Sequence, residues 1–255
     1  MIDSIFNLAG KTALITGGGT GLGRHFAKVL SEAGATVILC ARRVEKLQQT
    51  ADEITGAGGK AFCYPMDVTD AASIAAAFEQ AASHGVVSIL VNNAGTVAEP
   101  SLLRLDEETW DGVQATNLKG AWMVAKEGVS RMVAAEEAGT VINIASILGT
   151  AVQKGTGPYS ASKAALLHLT KNMAVEWARY GVRVNSIAPG YYATDMAEEF
   201  LESQAGQTML KRIPQRRLGN VEDLSGAILL LSSSASAYMT GSCITVDGGH
   251  SLAVI

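Results

Sequence analysis

Thr12-Ala-Leu-Ile-Thr-Gly-Gly-Gly-Thr-Gly-Leu-Gly23 is the stretch on which the fold turns. Its first five residues are almost uninterruptedly apolar or β-branched, the pattern of a strand covered on both faces. A glycine-rich turn follows with no linker, and a helical pattern then runs over Gly21–Ala33. The dinucleotide spacing G-x-G-x-x-G is not matched; Gly17, Gly21 and Gly23 give G-x-x-x-G-x-G instead. The physics carries over, because glycine admits positive φ and close backbone approach. The helix that follows offers unpaired N–H groups and a positive dipole end to a pyrophosphate. The alternative is a turn that only tightens a strand–helix corner.

Working outward, short β-branched runs alternate with helical stretches along the whole chain. The runs are Thr36–Ala41, Lys60–Tyr64, Ser88–Asn92, Thr140–Ala145, Val182–Ala188 and Ser242–Val246. Helical patterns cover Val44–Thr55, Ala71–Ser83, Glu107–Ala134, Tyr159–Tyr180 and Val221–Leu231. Such alternation predicts an α/β fold with a doubly wound, mostly parallel sheet of about seven strands and helices on both faces. With no linker, low-complexity segment or repeat, the 255 residues are expected to form a single dinucleotide-binding domain. The rhythm breaks after Pro189-Gly190, and residues 191–217 are expected to form a substrate lid beyond a strand's carboxyl end, where such sheets bind ligands.

The second strand ends near the point where an acid would meet the ribose 2′-hydroxyl of NAD, or an arginine the 2′-phosphate of NADP. Ala41 occupies the acid's place, followed by Arg42 and Arg43. A guanidinium fork suits a phosphate, so NADP(H) is preferred and NAD(H) remains open. Both arginines as solvated charges are the alternative.

Composition narrows the function. A net charge of −4 with no basic patch argues against nucleic acid as a partner. No apolar run reaches membrane-spanning length, and the N-terminus lacks the basic start and apolar core of a signal peptide. Cys40, Cys63 and Cys243 are too few and too scattered for a disulfide framework, so buried free thiols and a cytoplasmic location are expected. His25, His84, His168 and His250 show no metal-ligand spacing, and no metal is expected. Trp110 and Trp122 read as packing residues.

Chemistry enters with Pro158-Tyr-Ser-Ala-Ser-Lys163, which follows Ser146 by a short interval. Tyr159 and Lys163 are four apart and share a helix face. A cation beside a phenol favours the phenolate, so Lys163 is expected to bring the Tyr159 pKa down from about 10. A phenol tuned in this way exchanges protons with a carbonyl or alcohol oxygen. Taken alone, the pair reads as an ordinary surface tyrosine and lysine on one helix face, since such pairs arise often by chance.

Together these motifs resemble the short-chain dehydrogenases/reductases, over residues from about 8 to 250. Thr16–Gly23 resembles the cofactor loop of the family, with Gly17, Thr20, Gly21, Leu22 and Gly23 as cofactor residues. Asn92-Asn-Ala-Gly95 is similar to the motif after its fourth strand, where Asn93, Ala94 and Gly95 would line the cofactor. Ser146, Tyr159 and Lys163 have its catalytic spacing, and Asn117 resembles a fourth catalytic member that relays through water to Lys163. A local helix irregularity is the other reading of Asn117. Asp67 and Val68 resemble a pair flanking the adenine, although Asp67 would equally serve as a helix N-cap. Pro189, Gly190, the Tyr192 backbone and Thr194 would meet the nicotinamide end.

The resemblance implies a small-molecule carbonyl or secondary-alcohol substrate, hydride transfer with Tyr159 as proton donor or acceptor, and Lys163 on the nicotinamide ribose. It also implies a homotetramer built on Glu107–Ala134 and Tyr159–Tyr180. A 3-oxoacyl-thioester reductase is the alternative activity, and a non-catalytic NADP-binding sensor or scaffold a further one. Gly17–Gly23 is also similar to the loop of 2,4-dienoyl-CoA reductases, but those lack the tyrosine kept here. Many NADPH-using relatives carry a basic residue where Thr20 stands, which leaves the 2′-phosphate to Arg42. Leu148, Gln153 and Tyr191 are expected to line the substrate.

Overall fold

The computed structural model describes residues 2–98, 101–193 and 204–252. Thr194 and the 196–202 part of the expected lid lie outside the described residues. The strands are β1 (Thr12–Thr16), β2 (Thr36–Ala41), β3 (Lys60–Pro65), β4 (Val87–Asn92), β5 (Gly139–Ile144), β6 (Val182–Pro189) and β7 (Cys243–Val246). They form one seven-stranded sheet in the order β3-β2-β1-β4-β5-β6-β7, and every pairing is parallel. The chain winds outward from β1 to β3, returns to β4 beside β1, and then winds the other way. Order therefore reverses between β1 and β4, and a ligand crevice opens at the carboxyl ends there.

The helices are α1 (Ile2–Ile5), α2 (Gly21–Glu32), α3 (Val44–Gly56), α4 (Ala71–Ala81), α5 (Glu107–Gln114), α6 (Ala121–Ala134), α7 (Gly157–Trp177), α8 (Gln204–Arg212) and α9 (Ser225–Ser232). Two cores result. Phe26, Leu30, Leu47, Ile54, Ile228 and Leu231 of α2, α3 and α9 pack on one face of the sheet. Ile74, Phe78, Val124, Val129, Met132 and Met173 of α4, α6 and α7 pack on the other. Strand β1 shows why its sequence lacks alternation: Ala13 and Ile15 enter the first core while Leu14 enters the second.

Three expectations are corrected. Glu107–Ala134 is not one α-helix, since a π-helical turn over Ala115–Gly120 separates α5 from α6. A π turn adds a residue to the helical repeat and often marks a functional site, and Asn117 lies within it. Cys40 is buried, but Cys63 is only partly covered on edge strand β3 and Cys243 is exposed on edge strand β7. An edge strand has one neighbour fewer, so its side chains keep more contact with water. Trp110 and Trp122 are each well over one-third exposed, and so do not fill the core of this chain.

Candidate active site and cofactor cleft

A cleft of about 510 Å³ lies at the reversal point, over the carboxyl ends of β1 to β4. Gly17, Gly19 and Thr20 form its floor, Ala41, Arg42 and Arg43 its far end, Met66, Asp67 and Val68 one side, and Asn93, Ala94 and Gly95 the other. Thr20 is the N-cap of α2, yet its side chain makes no capping bond. The first N–H groups of that helix are thus left for an anion. Gly17 has φ +68°, and a Cβ on Gly23 would fall on the Gly17 carbonyl oxygen and within 2.5 Å of Asn93 Nδ2. Helix and loop can meet only through a bare backbone.

Asn93 and Thr16 lock this loop to the Asn92–Gly95 turn. Asn93 Nδ2 donates to the carbonyls of Thr16 (3.0 Å) and Gly17 (3.2 Å). Thr16 Oγ1 accepts from the amides of Asn93 and Ala94, both at 3.0 Å. Deeper still, Asn92 Nδ2 donates to Asn143 Oδ1 and Asn143 Nδ2 to Thr170 Oγ1, each at 2.9 Å. This buried chain ties β4 and β5 to helix α7, which carries the catalytic candidates. Asn143 and Thr170 escaped the sequence reading, as did the bonding role of Thr16 at the start of the cofactor loop; polar side chains interrupting apolar strands were the available signal for Thr16 and Asn143.

The cationic end is larger than Arg42 alone. Lys46, on the first turn of α3, lines the same cleft as Arg42 and Arg43. Among the described residues none of the three is in an ion pair. Lys46 was likewise missed. Asp67 is not a helix N-cap, since Asp70 holds that place in α4 by accepting from the Ala72 amide. Asp67 instead accepts from the amide and hydroxyl of Thr69. Those bonds hold its carboxyl below the usual range, with the Arg42 charge adding to them.

The catalytic candidates converge next to Gly95, which lines the cleft, beyond β5. Ser146 caps a short 3-10 turn over Ile147–Gly149, its hydroxyl accepting from the Leu148 amide at 3.1 Å. Pro158 lies in the first turn of α7, where its missing N–H costs nothing; Tyr159 follows it directly, and Lys163 stands one turn further on, buried. Lys163 is 4% exposed and donates from Nζ to the Ile144 carbonyl at 2.7 Å. Nζ lies 5.6 Å from the centre of the Tyr159 ring. Asn117 is fully committed: Oδ1 accepts from the Thr96 amide (2.8 Å), while Nδ2 donates to the Thr96 carbonyl (2.9 Å) and Ser162 Oγ (3.1 Å). A Cβ on Gly95 would sit 3.3 Å from Asn117 Oδ1 and 3.7 Å from Lys163 Nζ, which places all three at one point.

The electrostatics correct the sequence expectation. Burial holds the Tyr159 phenol above its ordinary value, and only a hydrogen bond with Ser146 pulls it down. Lys163 adds no downward pull on the phenol, and burial pushes the lysine itself down to about 8. Between that value and the ordinary 10.5 the unfolded chain holds the Lys163 proton more firmly than the folded one. The site's contribution to stability therefore rises with pH through that window, by about 3 kcal/mol if fully traversed. Urea unfolding of wild type and Lys163→Met at pH 7 and pH 10 should show the wild type gaining on the variant. A pH-independent difference would contradict the assignment.

Gln153 and Tyr191 are brought together, while Leu148 lies on the short turn that Ser146 caps. The Tyr191 phenol donates to Gln153 Oε1, and the Gln153 carbonyl accepts from Thr156 Oγ1, at the start of α7. Tyr192 turns away: its hydroxyl donates to the Val246 carbonyl at 2.8 Å and its backbone bridges Gly219. Gly190 packs against Asp247 after β7. Among the described residues no group of His, Cys, Asp or Glu could hold a metal, and no helix is long and apolar enough to cross a membrane.

Comparison with known proteins agrees with this geometry. A family model described as Enoyl-(Acyl carrier protein) reductase matches residues 17–251. The chain is 36% identical over 249 residues to a gluconate 5-dehydrogenase of Gluconobacter oxydans, covering 96% of each. It is 38% identical to a 3-oxoacyl-[acyl-carrier-protein] reductase of Thermotoga maritima, covering 95% of this chain and 98% of the relative. The crystal structure of a Burkholderia cenocepacia gluconate 5-dehydrogenase in complex with NADP and tartrate superposes over 100% of both chains, with TM-score 0.94 and 36% identity. With its parallel sheet, glycine-rich loop and Ser146–Tyr159–Lys163 cluster, the chain belongs to the short-chain dehydrogenase/reductase family, enzymes acting on CH–OH and C=O groups.

Proposed function

We propose that this protein interconverts a ketone and a secondary alcohol with NADP(H), using Tyr159 as proton donor and acceptor. The observation that carries the reading is a cleft with Arg42, Arg43 and Lys46 at one end and Gly95 at the other, where Lys163 Nζ comes within 3.7 Å of a Cβ placed on Gly95 and stands beside half-buried Tyr159. The residues fit the cofactor: a bare-glycine cradle at a helix N-terminus for the pyrophosphate, and unpaired cations for a 2′-phosphate. When bound, the cofactor supplies or accepts the hydride at the substrate carbon.

Ser146 would hydrogen-bond the substrate oxygen and hold it within reach of the Tyr159 hydroxyl. Tyr159 gives that oxygen its proton during reduction and removes it during oxidation. Lys163, anchored on Ile144, would hold the nicotinamide ribose and keep a cation near the phenol. The positive charge of the oxidised nicotinamide would favour the phenolate during oxidation. Asn117 would act through the backbone around Thr96 and Gly95, close to Lys163. Thr194 and the Tyr192 backbone are proposed at the nicotinamide end, with residues 191–217 as a lid on a single catalytic domain.

A 3-oxoacyl-thioester reductase is the second reading, favoured by the likeness to the Thermotoga maritima enzyme. Retention of Ser146, Tyr159 and Lys163 together weighs against a sensor or scaffold. Assembly is proposed as a homotetramer: Leu118, Trp122, Ala165 and Leu169 line an apolar groove of about 780 Å³ between α6 and α7. Three free thiols suit a reducing, cytoplasmic setting.

The cofactor assignment is tested by fluorescence titration. Arg42→Ala should weaken NADPH about tenfold to a hundredfold, the size expected for one charge-assisted phosphate contact, and leave NADH nearly unchanged. Lys46→Ala should act in the same direction. Equal losses for both cofactors would sink the 2′-phosphate reading.

A further inference from the structure

We propose that His250 binds substrate and that, with Gln153 and Tyr191, it forms a hydrogen-bonding wall selecting a polyhydroxylated molecule, a polyol or sugar acid. The proposal rests on reading this site as a carbonyl/alcohol oxidoreductase. Sheet order supplies the direction. The cofactor cleft is built on the ends of β1 to β4, and Ser146 follows β5. A substrate whose reacting carbon meets Ser146 and Tyr159 must extend over the ends of β6 and β7. Tyr191 stands just past β6 and His250 just past β7, with their rings 5.3 Å apart. Through Tyr191 and Gln153, His250 is linked to the start of α7, which carries Tyr159.

The backbone, not the ring, fixes His250. The Asp247 carboxylate accepts from the amides of Gly249 (2.9 Å) and Ser251 (2.6 Å), and the His250 amide donates to the Asp247 carbonyl at 3.1 Å. The Gln215 amide pins the turn by donating to the Gly248 carbonyl at 3.2 Å. The imidazole Nδ1 is buried and has no hydrogen-bond partner, a condition that native proteins rarely leave unanswered. Asp247 spends its hydrogen bonds on the amides of Gly249 and Ser251 and on the Ser251 side chain. Burial holds His250 below the ordinary imidazole value, against the opposing pull of Asp247. The ring is therefore neutral near pH 7 and offers one donor and one acceptor.

A carboxamide, a phenol and a neutral imidazole in a row match neighbouring hydroxyl groups. An acyl chain would leave the Nδ1 atom unpaired, the kind of mismatch by which polar sites reject apolar analogues.

The test compares wild type, His250→Ala and His250→Asn on D-gluconate and galactitol with NADP⁺, and on cyclohexanone with NADPH. His250→Ala should raise KM for the hydroxylated substrates roughly tenfold to a hundredfold, with kcat within about threefold and cyclohexanone unaffected. His250→Asn, which keeps a polar atom near the Nδ1 position, should recover part of the loss. KM values that rise together for both substrate types, or do not move, would overturn the proposal. Turnover of cyclohexanone but of neither hydroxylated substrate would overturn it while leaving the oxidoreductase reading intact; no turnover of any would count against that reading. Independently of turnover, D-gluconate added to NADP⁺-loaded Tyr159→Phe carrying ¹⁵N-histidine should shift the His250 Nδ1 resonance saturably. An unchanged resonance would overturn the proposal.

Discussion

Tyr159→Phe should lower kcat by about a thousandfold, within the range that a positioned proton donor supplies, while NADPH affinity stays within a few-fold of wild type. The phenyl ring can keep the buried packing of Tyr159 and its place beside Lys163 Nζ, 5.6 Å away. Only the hydroxyl is lost, and with it the proton that must reach the substrate oxygen during reduction. Ser146 can still hydrogen-bond that oxygen, but its own hydroxyl is a much weaker acid. Because burial holds the phenol above its ordinary value, the wild-type tyrosine is protonated at neutral pH and ready to donate. Steady-state kinetics beside a cofactor titration separate the two effects. A matching fall in cofactor affinity would show that Tyr159 works mainly as a binding residue.

Gly23→Ala should cost a hundredfold or more in cofactor affinity, an estimate scaled from the penalty for forcing atoms into a packed site. The added methyl has no space, since it would fall on the Gly17 carbonyl oxygen. Relieving that overlap means moving Gly17 or Asn93, and so breaking the bonds from Asn93 Nδ2 to Thr16 and Gly17. The phosphate-facing N–H groups of α2 move with the loop. Gly226→Ala is the control: on α9 nothing lies within 4 Å of its added Cβ, and the helix gains the usual alanine preference of about 1 kcal/mol. Equal cofactor binding by Gly23→Ala and wild type, read by fluorescence titration, would show that the loop does not cradle the pyrophosphate.

Much of the fold was legible because its signals are local. Residues such as Ile15 and Leu14 face opposite cores from neighbouring positions, so both-face burial shows as an unbroken apolar run. Strand starts and ends shifted by only one or two residues, as at Val87 and Gly139. The π turn at Ala115–Gly120 was legible only as the alternative reading of Asn117, a local helix irregularity, because its apolar spacing still reads as helix and only the fold shows the carbonyl ladder slipping. In the site, the spacing of Tyr159 and Lys163 was not enough alone; Ser146, Tyr159 and Lys163 were picked out by the set of separated motifs and the family resemblance it carries.

The balance of charge was not readable, for the effect of Lys163 on Tyr159 depends on how deeply both are buried, and burial is a tertiary property. Lys46 and His250 were missed for the same reason. Each joins the site through a contact with distant chain: Lys46 beside Gly19, and His250 beside Tyr191.

The central claim is that this cleft transfers hydride between NADP(H) and a carbonyl carbon, with Tyr159 moving the proton. Its most direct test is mass spectrometry of products formed by the intact protein from deuterium-labelled NADPH with keto sugar acids, cyclic ketones and a 3-oxoacyl thioester. The account predicts deuterium on the new carbinol carbon of at least one product, nearly abolished in Tyr159→Phe. Tight NADPH binding with no deuterium in any product would contradict it.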